Sequence, residues 1–417
     1  MKLVKAELLT IGDEILYGQI VDTNSQWMSA ELDKIGIKTI RKTSIGDTEE
    51  EILQAVSEAE SRADIILITG GLGPTNDDLT KPCLARYFGS EMVLNEEALA
   101  AITELFERRG RTLNERNRGQ AFLPHNCTMV PNEVGTAPGM RFDKNGKVFF
   151  SMPGVPYEMK RMMENYVLPY LKATFQMPVI LHQLVRTVGI PESILADRIQ
   201  AWEEALPTHI KLAYLPSLNQ VKLRLTAMGT SKEDLEKDIQ KQLDSLFPLI
   251  GEYIFGTDEE HLEEKIGQLL LKHHKTIAFA ESCTGGLVSH TITRVAGASA
   301  YYRGSIIPYH NELKINQLGV QKATLEKYGA VSEATVHEMA NRVRERMGAD
   351  IGIATSGIAG PSGGTPEKPV GLVWIAYADG KQTLTRELRL GTDRQQNIQL
   401  TTTQVLNLIR QTLSGND

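Results

Sequence analysis

The sequence predicts an α/β protein built from three domains. Two observations carry that prediction. Short buried-type apolar runs alternate with amphipathic runs in both the first and the last third of the chain, and turns rich in glycine or acidic residues follow the runs. Between these thirds lies a stretch of different texture. At 417 residues the chain exceeds one ordinary core, so boundaries near residues 170 and 255 divide it into blocks 1–170, 171–255 and 256–417.

In the first block Ala6–Ile11 reads as a buried strand and Ser25–Ile35 as a helix with Trp27, Met28 and Leu32 on one side. Thr39–Ile45 is a weaker strand. Thr48 with Glu51 forms a capping-box pattern opening a helix, and Asp64–Thr69 is again a strand. This β-α-β-α-β order predicts a parallel sheet covered on both faces, a three-layer domain. The middle block is predicted as a small α+β unit, with strands Leu181–Val188 and Val221–Met228 and helices Ser193–Trp202 and Lys232–Leu246. It contains no Gly-x-x-Gly loop with basic neighbours, so it reads as a spacer or dimerisation module rather than an RNA binder. The third block opens with a second capping-box pattern, Thr257 with Glu260, ahead of the amphipathic run Leu262–His273. Strands at Thr276–Ala280, Ile351–Thr355 and Val370–Ala378 and helices at Glu333–Met347 and Arg394–Gln411 make it a second α/β domain.

Composition narrows the function. A net charge of −7 argues against direct nucleic-acid contact and against an anionic membrane surface. The start of the chain is broken by Lys5 and Glu7 and reads as neither signal peptide nor anchor. No apolar run reaches membrane-spanning length. Cys83, Cys127 and Cys283 are too sparse for a disulfide framework or a zinc site. A reducing compartment, the cytoplasm, is the expected location.

Four polar turns in the first block each follow a predicted strand: Gly12-Asp13-Glu14, Gly46-Asp47, the run Thr69–Asp78, and Pro153-Gly154-Val155-Pro156. In an open parallel sheet such turns converge on one crevice at the carboxyl ends of the strands. Gly70, Gly71 and Gly73 let backbone amides approach an anion, with Thr75 and Gly154 alongside. Asp13, Glu14, Asp77 and Asp78 stand beside that nest, suited to a hard divalent cation such as magnesium bridging to phosphate. Lys81 is a candidate phosphate partner. Each turn taken alone is equally explained as a plain turn or helix cap.

In the third block Ala280–Gly286 is a strand-to-helix turn in which Ser282, Thr284, Gly285 and Gly286 offer amides to an anion. Ser356–Thr365 is a second glycine-rich turn, with Gly357, Gly360, Gly363 and Gly364. No Gly-x-Ser-x-Gly elbow is present. Cys283 is a nucleophile on paper, without a histidine close in sequence. A serine with a desolvated lysine, Ser299 with Lys314, is another way to activate a hydroxyl.

Thr69–Asp78, Gly12-Asp13-Glu14 and Met152-Pro153-Gly154 together resemble the molybdopterin-binding fold shared by molybdenum-cofactor enzymes and CinA proteins. With Asn132–Gly139 added, the pattern is closer to CinA. That resemblance implies metal-dependent hydrolysis of ADP-ribose to AMP and ribose 5-phosphate, with Asp13, Glu14, Asp77 and Asp78 at the metal or its water. Glu281–Gly286, Gly297–Ser299, Tyr309–Lys314 and Ser356–Thr365 resemble the nicotinamide-nucleotide amidase domain of CinA, a likeness spanning 258–412. It implies Ser299 as nucleophile, Lys314 as its base, Tyr309 assisting, Ser356 beside the oxyanion, and Arg394 in binding and catalysis. It implies no metal in that half, and a homodimer aided by the middle block. Ala298, Pro308 and Ser356 depart from the usual pattern. The substrates implied are nicotinamide mononucleotide and ADP-ribose. A nucleotide- or pterin-binding scaffold without turnover, and a pterin adenylyltransferase, are the alternatives.

Overall fold

The computed structural model of the chain describes residues 3–75 and 78–415. It divides into two compact units, residues up to 181 with 228–235, and 182–227 with 236 onward.

In the first unit β1 (Lys5–Ile11), β2 (Lys38–Ile45) and β3 (Ile65–Thr69) are parallel, with Leu8 of β1 level with Lys42 and Leu67. A short antiparallel pair, β4 (Met92–Leu94) with β5 (Phe122–Pro124), stands apart. β6 (Thr128–Val130), β7 (Gly139–Lys144) and β8 (Lys147–Met152) complete a six-stranded sheet of order β2-β1-β3-β8-β7-β6. β8 is parallel to β3, whereas β7 and β6 run antiparallel. The sheet is therefore mixed where an all-parallel one was expected. The cause is Asn145-Gly146, both at positive φ, which closes β7 and β8 into a two-residue hairpin.

Alternation along β1 explains the layers. Leu8, with Leu67 and Phe150, packs against Met28 and Leu32 of helix Thr23–Lys34. Leu9, with Ile66 and Ile68, packs on the other face against Ile52 and Val56 of helix Glu49–Arg62. The Thr48 cap forms as expected, its hydroxyl accepting from the Glu51 amide.

The second unit carries two sheets. β9 (Val179–Val188), β10 (Ile210–Ser217), β11 (Gln220–Gly229) and β12 (Ile254–Thr257) form one, ordered β10-β11-β9-β12. β13 (Ile277–Glu281), β14 (Tyr302–Ile306), β15 (Ile351–Gly357), β16 (Leu372–Ala378) and β17 (Thr383–Arg389) form the other, ordered β14-β13-β15-β16-β17. β13 is parallel to both neighbours, and β16 and β17 are antiparallel additions. Small residues on one face, Ala278, Ala280 and Ala354, admit Val336, Met339 and Val343 of helix Glu333–Met347. The larger Phe279, Ile353 and Tyr377 face helices Leu262–Lys272 and Arg394–Ser414.

One cap differs from expectation. Glu260 closes a turn onto the Thr257 amide, and the helix starts only at Leu262, with His261 as its cap and Glu264 reaching back to the His261 amide. Among the described residues no helix is long and apolar enough to cross a membrane.

Candidate functional site

At the carboxyl ends of β13 and β15 lies a cavity of about 190 Å³, lined by Ser282, Cys283, Tyr309, Asn311, Lys314, Ser356 and Arg394 among others. Lys314 is its centre. The residue is 1% exposed, and burial holds its ammonium pKa below the ordinary lysine value. Its Nζ lies 3.1 Å from Ser282 Oγ, 2.8 Å from the Pro308 carbonyl and 3.3 Å from the Tyr309 carbonyl. A neutral amine has two hydrogens and one lone pair. Nζ donates to the Ser282 hydroxyl and to the two carbonyls; once deprotonated it would keep its two hydrogens for the carbonyls and turn its lone pair to the Ser282 hydroxyl.

Ser299 is elsewhere. It is exposed, in the short turn Ala298–Ala300 that leads into β14. β14 is parallel to β13, so residues preceding it sit at the amino-terminal edge of the sheet, while Ser282 follows β13 at the opposite edge. The five-residue length of β13 puts roughly 15 Å of strand rise between those edges. The serine the structure brings to Lys314 is Ser282, which had been expected only to bind substrate.

Three other expectations change. The Glu281 carboxylate, 1% exposed, accepts from the Thr284 hydroxyl and from the Gly286, Val288 and Ser289 amides. The turn at Thr284–Gly286 thus carries its own anion and is no seat for a phosphate. Ser356 lines the cavity, but its hydroxyl donates to the Ala330 carbonyl at 2.7 Å, so its one proton is committed away from an oxyanion. Gly363 and Gly364 are exposed and do not line the cavity, whereas Gly357 does. The Gly360 carbonyl accepts from Arg394, which also donates to the Tyr309 hydroxyl at 2.8 Å. Asp393 caps the helix that Arg394 begins, and Asn397 in the next turn donates to the carbonyls of Ala359 and Gly391. Burial pushes the Cys283 thiol up to about 12, which leaves it protonated and unreactive.

In the first unit the four expected turns do line one cavity, of about 520 Å³, through Gly12 and Glu14, Asp47, Gly70 to Pro74, and Pro153 to Pro156. Gly70 has φ +105°, and a Cβ there would stand 2.1 Å from the Ile11 carbonyl oxygen, so glycine is required. The amide nest is partly filled. Asp78 accepts from the Gly73 and Thr75 amides and from the Thr75 hydroxyl. Asp13 and Thr75 do not line the cavity. The Asp13 carboxylate accepts from Tyr17, and its amide donates to Asp47. Asp77 lies outside the described residues. Among the described residues no three carboxylate, imidazole or thiol groups converge as a cation cage requires, so no step is assigned to a metal. Lys81 is buried and donates to the Gln120 carbonyl at 2.7 Å rather than facing a phosphate site. Sequence reasoning missed Asp22, Asn24, Gln120 and Glu158, which also line this cavity, and Asn311 in the other. Asp22 had a legible signal, because its carboxylate caps helix Thr23–Lys34 by accepting from the Ser25 amide.

Fold and sites together define a multidomain α/β protein with a separate ligand cavity in each α/β domain. Residues 7–173 match the family described as the probable molybdopterin binding domain, 182–256 the damage-inducible protein CinA KH domain, and 259–413 the CinA C-terminal domain. The chain is 54% identical over 410 residues to a CinA-like protein of Cytophaga hutchinsonii, covering 98% of each. It is 43% identical to a CinA-like protein of Flavobacterium psychrophilum, covering 97% of this chain and 98% of that one. A solved competence/damage inducible protein from Agrobacterium tumefaciens is 34% identical and matches 38% of this chain and 98% of its own, with a TM-score of 0.35. The chain belongs to the CinA family.

Proposed function

We propose that the C-terminal cavity hydrolyses the amide of nicotinamide mononucleotide, with Ser282 as nucleophile and Lys314 as its base. The observation that carries this reading is the buried lysine of lowered pKa, 3.1 Å from a serine hydroxyl in a cavity. Ser282 Oγ attacks the carboxamide carbon while Lys314 Nζ takes its proton. The same proton passes to the leaving nitrogen, ammonia departs, and an acyl ester remains on Ser282. Water, deprotonated by Lys314, then releases nicotinate mononucleotide. Arg394 uses two guanidinium N–H donors on Gly360 and Tyr309 and keeps others for the ligand. At about 190 Å³ the cavity is below the ~300–1,000 Å³ of sites for drug-sized ligands, so it encloses the reacting ring and leaves the ribose phosphate outside. Ammonia release from nicotinamide mononucleotide, measured with the full chain and with Ser282→Ala, tests the assignment; release that survives in the variant rejects it.

The N-terminal cavity is read as the site that cleaves ADP-ribose to AMP and ribose 5-phosphate. The support is its size, its glycine-rich floor and the family resemblance. AMP formation from ADP-ribose, with and without added magnesium, is the test.

A further inference from the structure

We infer that Asn311 recognises the substrate's amide nitrogen in the C-terminal cavity, its Oδ1 accepting an N–H of the carboxamide. The inference goes beyond the amidase reading and rests on it for the choice of ligands.

Asn311 opens the helical turn Asn311–Leu313 behind its cap His310, and the backbone stays helical through Lys314–Leu318. Positions three apart on a helix share a face, so Asn311 and Lys314 stand on the same side. Lys314 shows where that side looks, because its Nζ ends on Ser282 Oγ. Both residues line the cavity. They differ in access: Lys314 is 1% exposed, whereas Asn311 is open to solvent. Among the described residues nothing hydrogen-bonds to the Asn311 side-chain amide. The amide is therefore both reachable and free.

The rest of the lining offers a ligand donors rather than acceptors. Arg394 keeps N–H groups beyond those given to Gly360 and Tyr309, and the Tyr309 hydroxyl, accepting from Arg394, has its own proton to give. The Pro308 and Tyr309 carbonyls are held by Lys314. Ser356 is 1% exposed, which withdraws its oxygen from a ligand. Among the described residues no carboxylate lines the cavity, and its two charged side chains, Lys314 and Arg394, are cationic.

A carboxamide brings one acceptor oxygen and an NH₂ with two donors. Arg394 and Tyr309 suit the oxygen, and Asn311 Oδ1 is the exposed side-chain group that suits the nitrogen. Turned about, Nδ2 would only add a donor to a wall of donors. The carboxylate left by hydrolysis has no N–H to give, so the Oδ1 contact belongs to the substrate and not to the product.

The test uses the full-length chain, with nicotinamide mononucleotide as substrate and nicotinate mononucleotide as competitive inhibitor. The two differ only where amide becomes carboxylate. Asn311→Ala should raise KM for the amide by about fivefold or more, the loss of one hydrogen bond, and change Ki for the acid by less than about twofold. Asn311→Asp keeps the acceptor and loses the donor. Its KM should stay within about threefold of wild type while Ki rises by about fivefold or more, because like charges meet. A carboxylate beside Lys314 also favours the ammonium, so in this variant the rise of rate moves to higher pH. Glu312→Ala, one position round the helix, should change neither constant. Equal changes in KM and Ki for Asn311→Ala, no change in either, or an Asn311→Asp as poor with the amide as Asn311→Ala overturns the assignment. Wild type that releases no ammonia rejects the amidase reading, and equilibrium titration of the two ligands then decides the subsite. Amide binding weakened in Asn311→Ala and kept in Asn311→Asp upholds it, and any other pattern overturns it.

Discussion

Lys314 Nζ and Ser282 Oγ stand 3.1 Å apart although 32 positions separate them, because the turn after β13 and the helical segment after β14 open onto the same edge of the sheet. Ser282→Ala and Lys314→Met should each lower kcat for amide hydrolysis by about 10³-fold or more, as losing the nucleophile or its base does elsewhere. Ser299→Ala, on the far edge, should stay within a few-fold of wild type. Ammonia release with circular dichroism as a folding control measures all three.

The pH profile follows from Lys314. Only its neutral form accepts the serine proton, and burial holds its pKa below 10.5. The rate should rise with pH through that lowered value and reach its plateau before an ordinary lysine would titrate. Stability shares the sign. Lys314 and Lys81, the latter brought down to about 8 by burial, bind fewer protons folded than unfolded between their folded values and 10.5. Unfolding free energy from these two groups should therefore grow as pH rises across that window, and fall to its lowest below it. Urea titrations between pH 7 and 10 check the trend.

Cys283 touches the reacting cavity but should be dispensable. Its thiol is buried and pushed up to about 12. Cys283→Ala should retain amidase activity within a few-fold, and thiol reagents should label Cys283 in the folded chain far more slowly than the half-buried Cys127.

Glu281 orders the turn that carries Ser282. Five donors from Thr284, Gly286, Val288 and Ser289, the last giving both amide and hydroxyl, end on one buried carboxylate, and charge-assisted bonds are worth ~1.5–3 kcal/mol each. Glu281→Ala should lower the melting temperature by several degrees and cut amide hydrolysis even though the residue touches no substrate. A thermal melt paired with the ammonia assay tests both parts.

Gly70→Ala forces a Cβ to within 2.1 Å of a backbone oxygen at a positive φ. ADP-ribose cleavage should be lost. The proposed amidase site lies in the other unit, so its activity should persist. Assaying both reactions on one preparation decides it.

The architecture was legible where residue pattern and period coincide. The buried runs of β1, β3, β13 and β15, and the four turns around the first cavity, follow from hydrophobic periodicity and from where parallel strands end. What could not be read were long-range pairings. Nothing local to Ser282 or Ser299 says which reaches Lys314, since that depends on the direction of β14. Nor does a glycine-rich turn beside an acid reveal whether its amides await a ligand, since Asp78 and Glu281 fill their turns from within the chain. The Asn145-Gly146 hairpin was readable as a turn pair between two apolar runs, but no strand was read at Gly139–Lys144.

Because the turn after β13 is neutralised by Glu281, the hydrolytic pair has no electrostatic hold on a ligand's anionic tail. Preference for phosphorylated over unphosphorylated amides must then be set from the Arg394 wall. On the proposed amidase reading, chemistry and charge selection are thereby separable traits: ligand preference could drift through changes at one wall while the Ser282–Lys314 pair stays as it is.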